Sequence, residues 1–227
     1  VDVLEMSTPS KVAALNAAEA QAPSFPRIYL DADIPIRGAD LQRLVAALEQ
    51  PGALAAEPRA RFDLTGASLT VRAYYAVWRG LHGAEPGDVG GGLYALSAAG
   101  RARFGPFPDV IADDGYVRAH FAPGEITSVD DAESLVRTPR TLAMLLRVKT
   151  RSRLGGLELA RRFPELWAGK RRAGRSLRQK VLRLPLRLWP LLPVYGLVPT
   201  VVGPRARPAD RERAQNAHRW AGHDSPR

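Results

Sequence analysis

Short apolar segments alternate with helix-forming segments through the first 120 residues of this 227-residue chain, and this alternation restricts the fold more than any other feature. Residues 27–30 predict a strand, residues 38–50 a helix with apolar side chains at helical spacing, and residues 91–96 another strand. Residues 110–111 predict the end of a further strand. We therefore expect an α/β fold with a mainly parallel sheet flanked by helices, in which ligands bind at the carboxyl ends of the strands.

The composition excludes several kinds of chemistry. The chain has no cysteine, so disulfides, thiolate zinc sites, iron–sulfur clusters and cysteine nucleophiles are impossible. Of its four histidines, two lie in the last ten residues, which leaves little material for a histidine-based metal centre or a serine–histidine triad. Any catalytic or metal-binding chemistry must therefore depend on carboxylates.

Charge is distributed unevenly along the chain. Residues 1–146 contain 13 Lys and Arg against 18 Asp and Glu, whereas residues 147–190 contain 14 against 2. An acidic body joined to a basic extension is typical of a soluble domain held near a polyanion, which is either a lipid surface or a nucleic acid.

The C-terminal third contains 17 uncharged residues, 188–204, interrupted by three prolines. This length is short of the ~18–20 residues that a membrane-spanning helix needs. Arginines just before the segment and aromatic residues within it indicate a segment that lies in the interface of an anionic membrane. We divide the chain into a body at residues 1–156, a basic and apolar membrane-associating extension at 157–204, and a disordered polar tail at 205–227.

An acidic pair, Asp31 and Asp33, follows the strand at residues 27–30. Alternate residues of an extended chain point the same way, so both carboxylates face the crevice. Carboxylate oxygens can hold Mg²⁺ or Mn²⁺, which takes its other ligands from water and a diphosphate. The alternative is a helix cap or a solvated loop.

A second acidic pair, Asp113 and Asp114, follows residues 110–111. One of these carboxylates is a candidate general base; the alternative is that both simply favour a helix N-terminus. A cationic stretch, Arg147 to Arg153, can complement a diphosphate leaving group. Its alternative is a solvated or membrane-facing basic helix face.

The order of these motifs resembles that of family-2 glycosyltransferases with the glycosyltransferase-A fold. The matching pieces are the helix Lys11-Val12-Ala13-Ala14-Leu15-Asn16, the D-x-D strand, the Gly-rich strand Gly90-Gly91-Gly92-Leu93-Tyr94 and the Asp113-Asp114 pair. The resemblance covers about residues 1–156. It implies an inverting transfer of a sugar from a nucleotide-diphosphate sugar to a hydroxyl acceptor. The basic, apolar extension would hold such an enzyme at the cytoplasmic face of the cell membrane, where lipid-linked or polysaccharide acceptors are found.

The resemblance also implies roles for individual residues. Lys11 and Asn16 would border the nucleotide-sugar, Asp33 would bind the metal, and Asp31 would contact ribose or metal. Gly91 and Gly92 would form part of the donor floor, and Arg151 would approach the diphosphate. Asp114 matches the catalytic base, with Asp113 as its rival.

Three departures from the family pattern limit these expectations. The family's E-D pair is D-D here, and its Q-x-x-R-W signature is absent, so a processive polysaccharide synthase is not expected. The family's opening β-α-β region would lie before Val1, which indicates an N-terminally truncated chain with an incomplete sheet edge. The alternative function is a non-catalytic remnant or a membrane-associated interaction protein. Nucleic acid is not an expected partner, because the basic segment contains no recognised module and few stacking aromatic residues.

Overall fold

The computed structural model describes residues 3–7, 10–22, 24–82, 92–171 and 177–221, apart from the side chains of residues 169–171, 209 and 211–221. In chain order the described elements are α1 (Lys11–Gln21), β1 (Arg27–Leu30), α2 (Gly38–Leu48), β2 (Ala55–Asp63), α3 (Leu69–His82), β3 (Leu93–Leu96), α4 (Ala98–Arg101), α5 (Asp113–Ala119), β4 (Ile126–Arg137), α6 (Leu142–Arg162), α7 (Pro164–Arg171), α8 (Leu177–Leu182), a 3₁₀ helix (Leu186–Leu191) and α9 (Leu192–Ala221). The expected α/β class is confirmed, with helices flanking an open sheet.

The sheet is mixed, whereas the sequence predicts a mainly parallel one. Within the described residues its strand order is β1-β3-β2-β4. Strand β3 pairs antiparallel with both β1 and β2, and only β2 and β4 pair in parallel. Thus β1, β2 and β4 share one direction and β3 lies reversed between the first two. The reversed strand brings its own N-terminal end to the edge where β1 ends.

The first two helices begin where the sequence predicts. The hydroxyl oxygen of Ser10 accepts a hydrogen bond from the Ala13 amide at 3.2 Å, which caps α1. On α2, Leu44 and Leu48 are buried and pack against Ala56 of β2 in one apolar cluster. Burial of the apolar stripe fixes the helix on one face of the sheet.

Two segments differ from the sequence-based expectation. Residues 110–111 form a bend and not a strand, although Val110 is buried in the core. Strand β4 has 12 residues and was not predicted, because its buried and exposed positions do not alternate regularly. The strand is instead defined by its long backbone pairing with β2, which is irregular between Pro58 and Arg59.

The C-terminal helices pack onto the body. Helix α6 runs through the expected boundary between residues 156 and 157 without a break. Val198 and Val202 of α9 are buried in a cluster that includes Tyr74 of α3 and Leu145 of α6. Beyond residue 205, where the sequence analysis expects a disordered tail, α9 continues to Ala221, and residues 222–227 lie outside the described chain. Asp210 of α9 pairs with Arg161 of α6 at 3.2 Å.

The outer side of this C-terminal region exposes large apolar side chains next to arginines. We call this the leucine–arginine surface; it consists of Leu177, Arg178, Leu182, Arg183, Leu186, Arg187, Trp189 and Leu197. The overlapping segment Leu186–Pro208 has the length and the apolar composition of a membrane-crossing helix, with a mean hydropathy of 1.3 in its best window. Only 11% of that window is buried within the molecule.

Candidate active site

The ammonium group of Lys11 joins the two acidic pairs. Its Nζ atom lies 2.7 Å from Asp31 Oδ1, and 2.9 and 3.0 Å from the two carboxylate oxygens of Asp113. Burial of the ammonium alone would lower the pKa of Lys11, but the hydrogen bonds to Asp31 and Asp113 outweigh it and raise the pKa above its usual value. Lys11 therefore keeps its positive charge, and its ammonium lies between the carboxylate that follows β1 and the carboxylate that begins α5.

Asp31 occupies the end of β1 because the backbone of β3 approaches it closely. Its amide donates to the Gly92 carbonyl at 2.8 Å. Gly92 has a φ of +65°, and a Cβ atom there would lie 2.9 Å from Asp31 Oδ2. Both the backbone conformation and the space require glycine at this position. Gly91, the other predicted floor residue, lies outside the described chain.

Asp113 and Asp114 begin helix α5 but have different surroundings. The Asp113 side chain is only 8% exposed and is held by Lys11. Asp114 accepts a hydrogen bond from the Gly115 amide at 2.7 Å through Oδ1. Carboxylates in the first turn of a helix are stabilised by the unpaired amides and the helix dipole. Asp113 thus belongs to the Lys11 ion pair, while Asp114 faces the open space described next.

Two cavities meet at this edge of the sheet. The first has about 300 Å³ of empty space, including its mouth, and is lined by Lys11, Leu15, Tyr29, Leu30, Asp31, Gly92, Tyr94, Asp113 and Asp114. The second, of about 370 Å³, shares Gly92, Tyr94 and Asp114 with the first and extends to Glu57 and Arg118. We call the two together the acidic cleft. Asp114 is the only carboxylate that lines both parts, within the described residues.

Tyr94 lines both parts of the acidic cleft. Its oxygen is buried without a hydrogen bond to any described residue. Burial raises the pKa of Tyr94 strongly, and the neighbouring Asp113 carboxylate adds to this effect. Its ring stacks on Tyr29 at 4.7 Å, and the Tyr29 hydroxyl by contrast donates to Glu19. A buried hydroxyl without a partner is costly to stability.

Helix α6 positions the start of α5 through residues that the sequence analysis did not single out. The Glu158 side chain is 3% exposed, and its Oε2 accepts from the Ile111 amide at 2.9 Å. A Cβ atom on Gly155 would lie 2.9 Å from Ala112 Cβ, so α6 and the bend before α5 are in close contact. The sequence signal for this contact is a lone glutamate, Glu158, flanked by leucines and preceded by the adjacent glycines 155 and 156.

A buried ion pair forms the far wall of the acidic cleft and was also missed. Arg118 of α5 donates to the Glu57 carboxylate of β2, whose side chain is 8% exposed. Burial makes such a pair depend on both partners, because either one alone would be an uncompensated charge. The pair joins α5 to the middle of the sheet.

Three of the predicted site residues do not reach the acidic cleft. The side-chain amide of Asn16 is bonded to the backbone of Phe107, donating at 2.9 Å and accepting at 2.8 Å. Asp33 and Arg151 are exposed, and neither lines the cleft. In the cationic stretch it is Lys149 that is inserted into the protein, with Nζ 5.3 Å from the Trp78 ring centroid, where burial lowers its pKa. Asn16 therefore holds the backbone at Phe107, and the roles predicted for Asp33 and Arg151 stay predictions.

The acidic cleft has the donor chemistry of a divalent-cation site but not a complete ligand set. Among the described residues no group of three or more His, Asp or Glu side chains is arranged to hold a metal ion. Asp31 and Asp113 nevertheless share one cationic partner, and hard cations such as Mg²⁺ use one or two carboxylates together with water and phosphate oxygens.

Searches with the sequence against protein-family models and against curated proteins found no match.

Proposed function

We propose that this chain is the sugar-transferring part of an inverting glycosyltransferase that uses a nucleotide-diphosphate sugar. The observation that supports this most is the meeting of Lys11, Asp31, Asp113 and Asp114 at one cleft, although the acidic pairs lie some eighty residues apart in the chain. This is the arrangement that the resemblance to the glycosyltransferase-A fold requires of those residues. It pairs a cation-binding carboxylate with a candidate general base.

In the proposed mechanism Asp114 is the general base. Its carboxylate accepts the proton of the acceptor hydroxyl as that oxygen forms a bond to the anomeric carbon. The bond between the anomeric carbon and the diphosphate oxygen breaks, and the nucleoside diphosphate leaves with the electron pair. Asp114 is preferred to Asp113 because it lines both parts of the acidic cleft, whereas Asp113 is held by Lys11.

The leaving diphosphate needs compensation of its charge. Mg²⁺ or Mn²⁺, when bound, supplies positive charge at the diphosphate. Asp31 and Asp113 would hold it, and Tyr94 would donate a hydrogen bond to the donor. In this proposal the sugar lies between Tyr94 and Asp114, because these two residues line both parts of the acidic cleft.

The leucine–arginine surface supports a location at the cytoplasmic face of the cell membrane. Exposed leucines can enter the interface while neighbouring arginines contact anionic lipid headgroups. Leu186 is 78% exposed and Leu182 62% exposed. Lipid-linked or polysaccharide acceptors of the cell envelope are the substrates that such a location favours.

Asparagine substitution tests the proposed base. Asp114→Asn keeps the size and the hydrogen bond to Gly115 but cannot accept a proton, so we expect the rate of sugar transfer or donor hydrolysis to fall by about 100-fold or more. Asp130→Asn is the control, because Asp130 is exposed on β4 and lines neither part of the cleft. Equal rates in both variants and the unmodified chain would refute the assignment.

A second candidate function is a non-catalytic, membrane-associated interaction protein. The leucine–arginine surface favours it independently of the acidic cleft. The two candidates differ in nucleotide binding, which calorimetry with nucleoside diphosphates and Mn²⁺ measures directly. Binding supports the transferase, and vesicle binding without any nucleotide binding supports the second candidate.

A further inference from the structure

One face of helix α6 is exposed in the N-terminal half of the helix and covered in its C-terminal half. Met144, Arg147, Val148 and Arg151 follow one another at the three- and four-residue spacing of a helix face, and all four are exposed. We call these four residues the arginine stripe. The same spacing continues to Gly155, which is buried.

The arginine stripe leads to the element that carries the proposed base. Gly155 packs on the bend at residues 111–112, and Glu158 accepts a hydrogen bond from the same bend. Arg151 precedes Gly155 by four residues, which is ~6 Å along the helix axis. The bend runs directly into the first turn of α5, which contains Asp114. A ligand that lies along the arginine stripe is therefore directed towards that turn.

The positive charge of this part of α6 is not compensated locally. Residues 138–157 contain five Lys and Arg and no Asp or Glu. Within the described residues neither Arg147 nor Arg151 has an ion-pair partner. A guanidinium group donates parallel hydrogen bonds to a phosphate or a carboxylate. Because these two guanidinium groups are one helical turn apart on one face, they fit a chain with repeated anionic groups.

The apolar members of the arginine stripe separate a soluble polyanion from a membrane. Membrane-interface helices insert large side chains such as Leu, Phe and Trp, and those lie in the leucine–arginine surface. The stripe instead has the smaller Met144 and Val148, each about half exposed. It also has no aromatic ring on which unpaired nucleic-acid bases could stack. An anionic sugar chain fits best, because its C–H groups can pack on the apolar side chains between its charges.

We propose that the arginine stripe binds a polysaccharide chain that carries phosphate or carboxylate groups and directs it towards the acidic cleft. That this chain is the acceptor of the transferred sugar rests on the proposed function, whereas its binding to α6 does not. The carboxylates of the acidic cleft repel such a chain. Its anionic groups therefore stay on α6, and only its terminal hydroxyl enters the cleft.

Two soluble probes, inorganic polyphosphate and polygalacturonate, test the arginine stripe without any sugar donor, and dextran is the neutral comparison. Arg147→Gln with Arg151→Gln removes two exposed charges, so we expect about tenfold weaker binding of the preferred probe. We also expect salt to weaken binding to the unmodified chain. Arg59→Gln with Arg79→Gln is the matched control, because it removes the same charge from exposed positions of β2 and α3. Circular dichroism establishes that each variant is folded.

Absent binding, or equal binding by the unmodified chain and both double variants, would overturn the inference. Tighter binding of duplex DNA than of either probe would overturn it in favour of a nucleic acid. Binding to phosphatidylglycerol vesicles that depends on Arg147 and Arg151, without binding of either probe, would overturn it in favour of lipid headgroups. Weaker probe binding in Arg147→Gln with Arg151→Gln, with no nucleoside diphosphate bound by any of the proteins, would support the polyanion site and overturn the proposed transferase.

Discussion

The two stacked tyrosines of the acidic cleft differ in what their hydroxyl groups contact. Tyr29 donates to the Glu19 carboxylate, which also binds Arg27 and Arg101, and burial together with this hydrogen bond raises the pKa of Tyr29. The Tyr94 hydroxyl is buried without a partner in the described chain. The same residue type therefore has a satisfied hydroxyl group at one position and an unsatisfied one at the other.

Phenylalanine substitutions at the two tyrosines measure this difference. Tyr94→Phe removes an unsatisfied buried group, so we expect the free energy of unfolding to be unchanged or to rise by up to about 1 kcal/mol. Tyr29→Phe is the matched variant, and we expect it to cost about 1–3 kcal/mol because it breaks a hydrogen bond to a carboxylate. Urea unfolding followed by circular dichroism gives both values. A loss of stability in Tyr94→Phe equal to that in Tyr29→Phe would mean that the Tyr94 hydroxyl has a partner.

Only part of the site could be predicted residue by residue. Lys11, Asp31 and Asp114 follow from local motifs, and the structure brings them to one cleft. Asn16 belongs to the same motif as Lys11, yet its amide faces the Phe107 backbone, a contact across 91 residues. A motif identifies which side chains are available, but the direction each one takes depends on packing from distant parts of the chain.

At the scale of elements, the site depends on how closely α6 approaches the bend before α5. Gly155 provides the contact, because any side chain there would meet Ala112 and Ile111. Glu158, one turn further along α6, holds the Ile111 amide. Gly155 and Glu158 together therefore fix the position of the first turn of α5, which contains Asp113 and Asp114.

Adjacent glycines of α6 offer a direct comparison. A Cβ atom on Gly155 would lie 2.9 Å from Ala112, so we expect Gly155→Ala to lower the free energy of unfolding by about 1–3 kcal/mol. A Cβ atom on Gly156 would lie 3.7 Å from the Trp167 ring, which is an ordinary contact. Gly156→Ala should therefore be neutral or stabilising by up to about 1 kcal/mol, through helix propensity. Thermal unfolding of the two variants checks this, and equal effects would argue against close packing at Gly155.

The elements themselves were predictable where local signals exist. The cap at Ser10 and the apolar stripe of α2 identify their helices. Nothing in the four residues of β3 indicates its direction, because the side-chain pattern of so short a strand does not show whether it pairs parallel or antiparallel. Strand β4 contains Asp130, Asp131 and Glu133, so its apolar pattern is too weak to indicate a strand before its pairing with β2 is known.

At the scale of the whole molecule, the C-terminal helices have two sides with different chemistry. The inner side of α9 packs on α3 and α6 through Val198 and Val202. Helix α6 exposes several arginines, among them Arg147 and Arg151, which are unfavourable in hydrocarbon. This packing favours a helix that lies at the membrane surface over one that crosses it.

Vesicle binding tests the leucine–arginine surface. We expect the chain to sediment with vesicles that contain phosphatidylglycerol, and less with neutral ones, and to be released by salt. Replacing two exposed apolar residues, Leu186→Glu with Trp189→Glu, should weaken binding by about tenfold or more, from the lost apolar burial. Leu69→Glu is the control, since Leu69 is 83% exposed on α3, outside this surface. Equal binding of both proteins, or binding that ignores lipid charge, would contradict the assignment.

The unbroken course of α6 has a consequence for how the protein meets a bilayer. One end of this 21-residue helix lies beside α9, tied by Arg161 and Asp210, and the same turns carry the glutamate that holds the start of α5. Within the described residues, α6 therefore links α9, which contributes Leu197 to the leucine–arginine surface, to the start of α5. In the proposed membrane-bound transferase, docking would fix the height and tilt of the opening above the headgroups, and the distance between an acceptor's reactive hydroxyl and its lipid anchor would become a criterion of substrate choice.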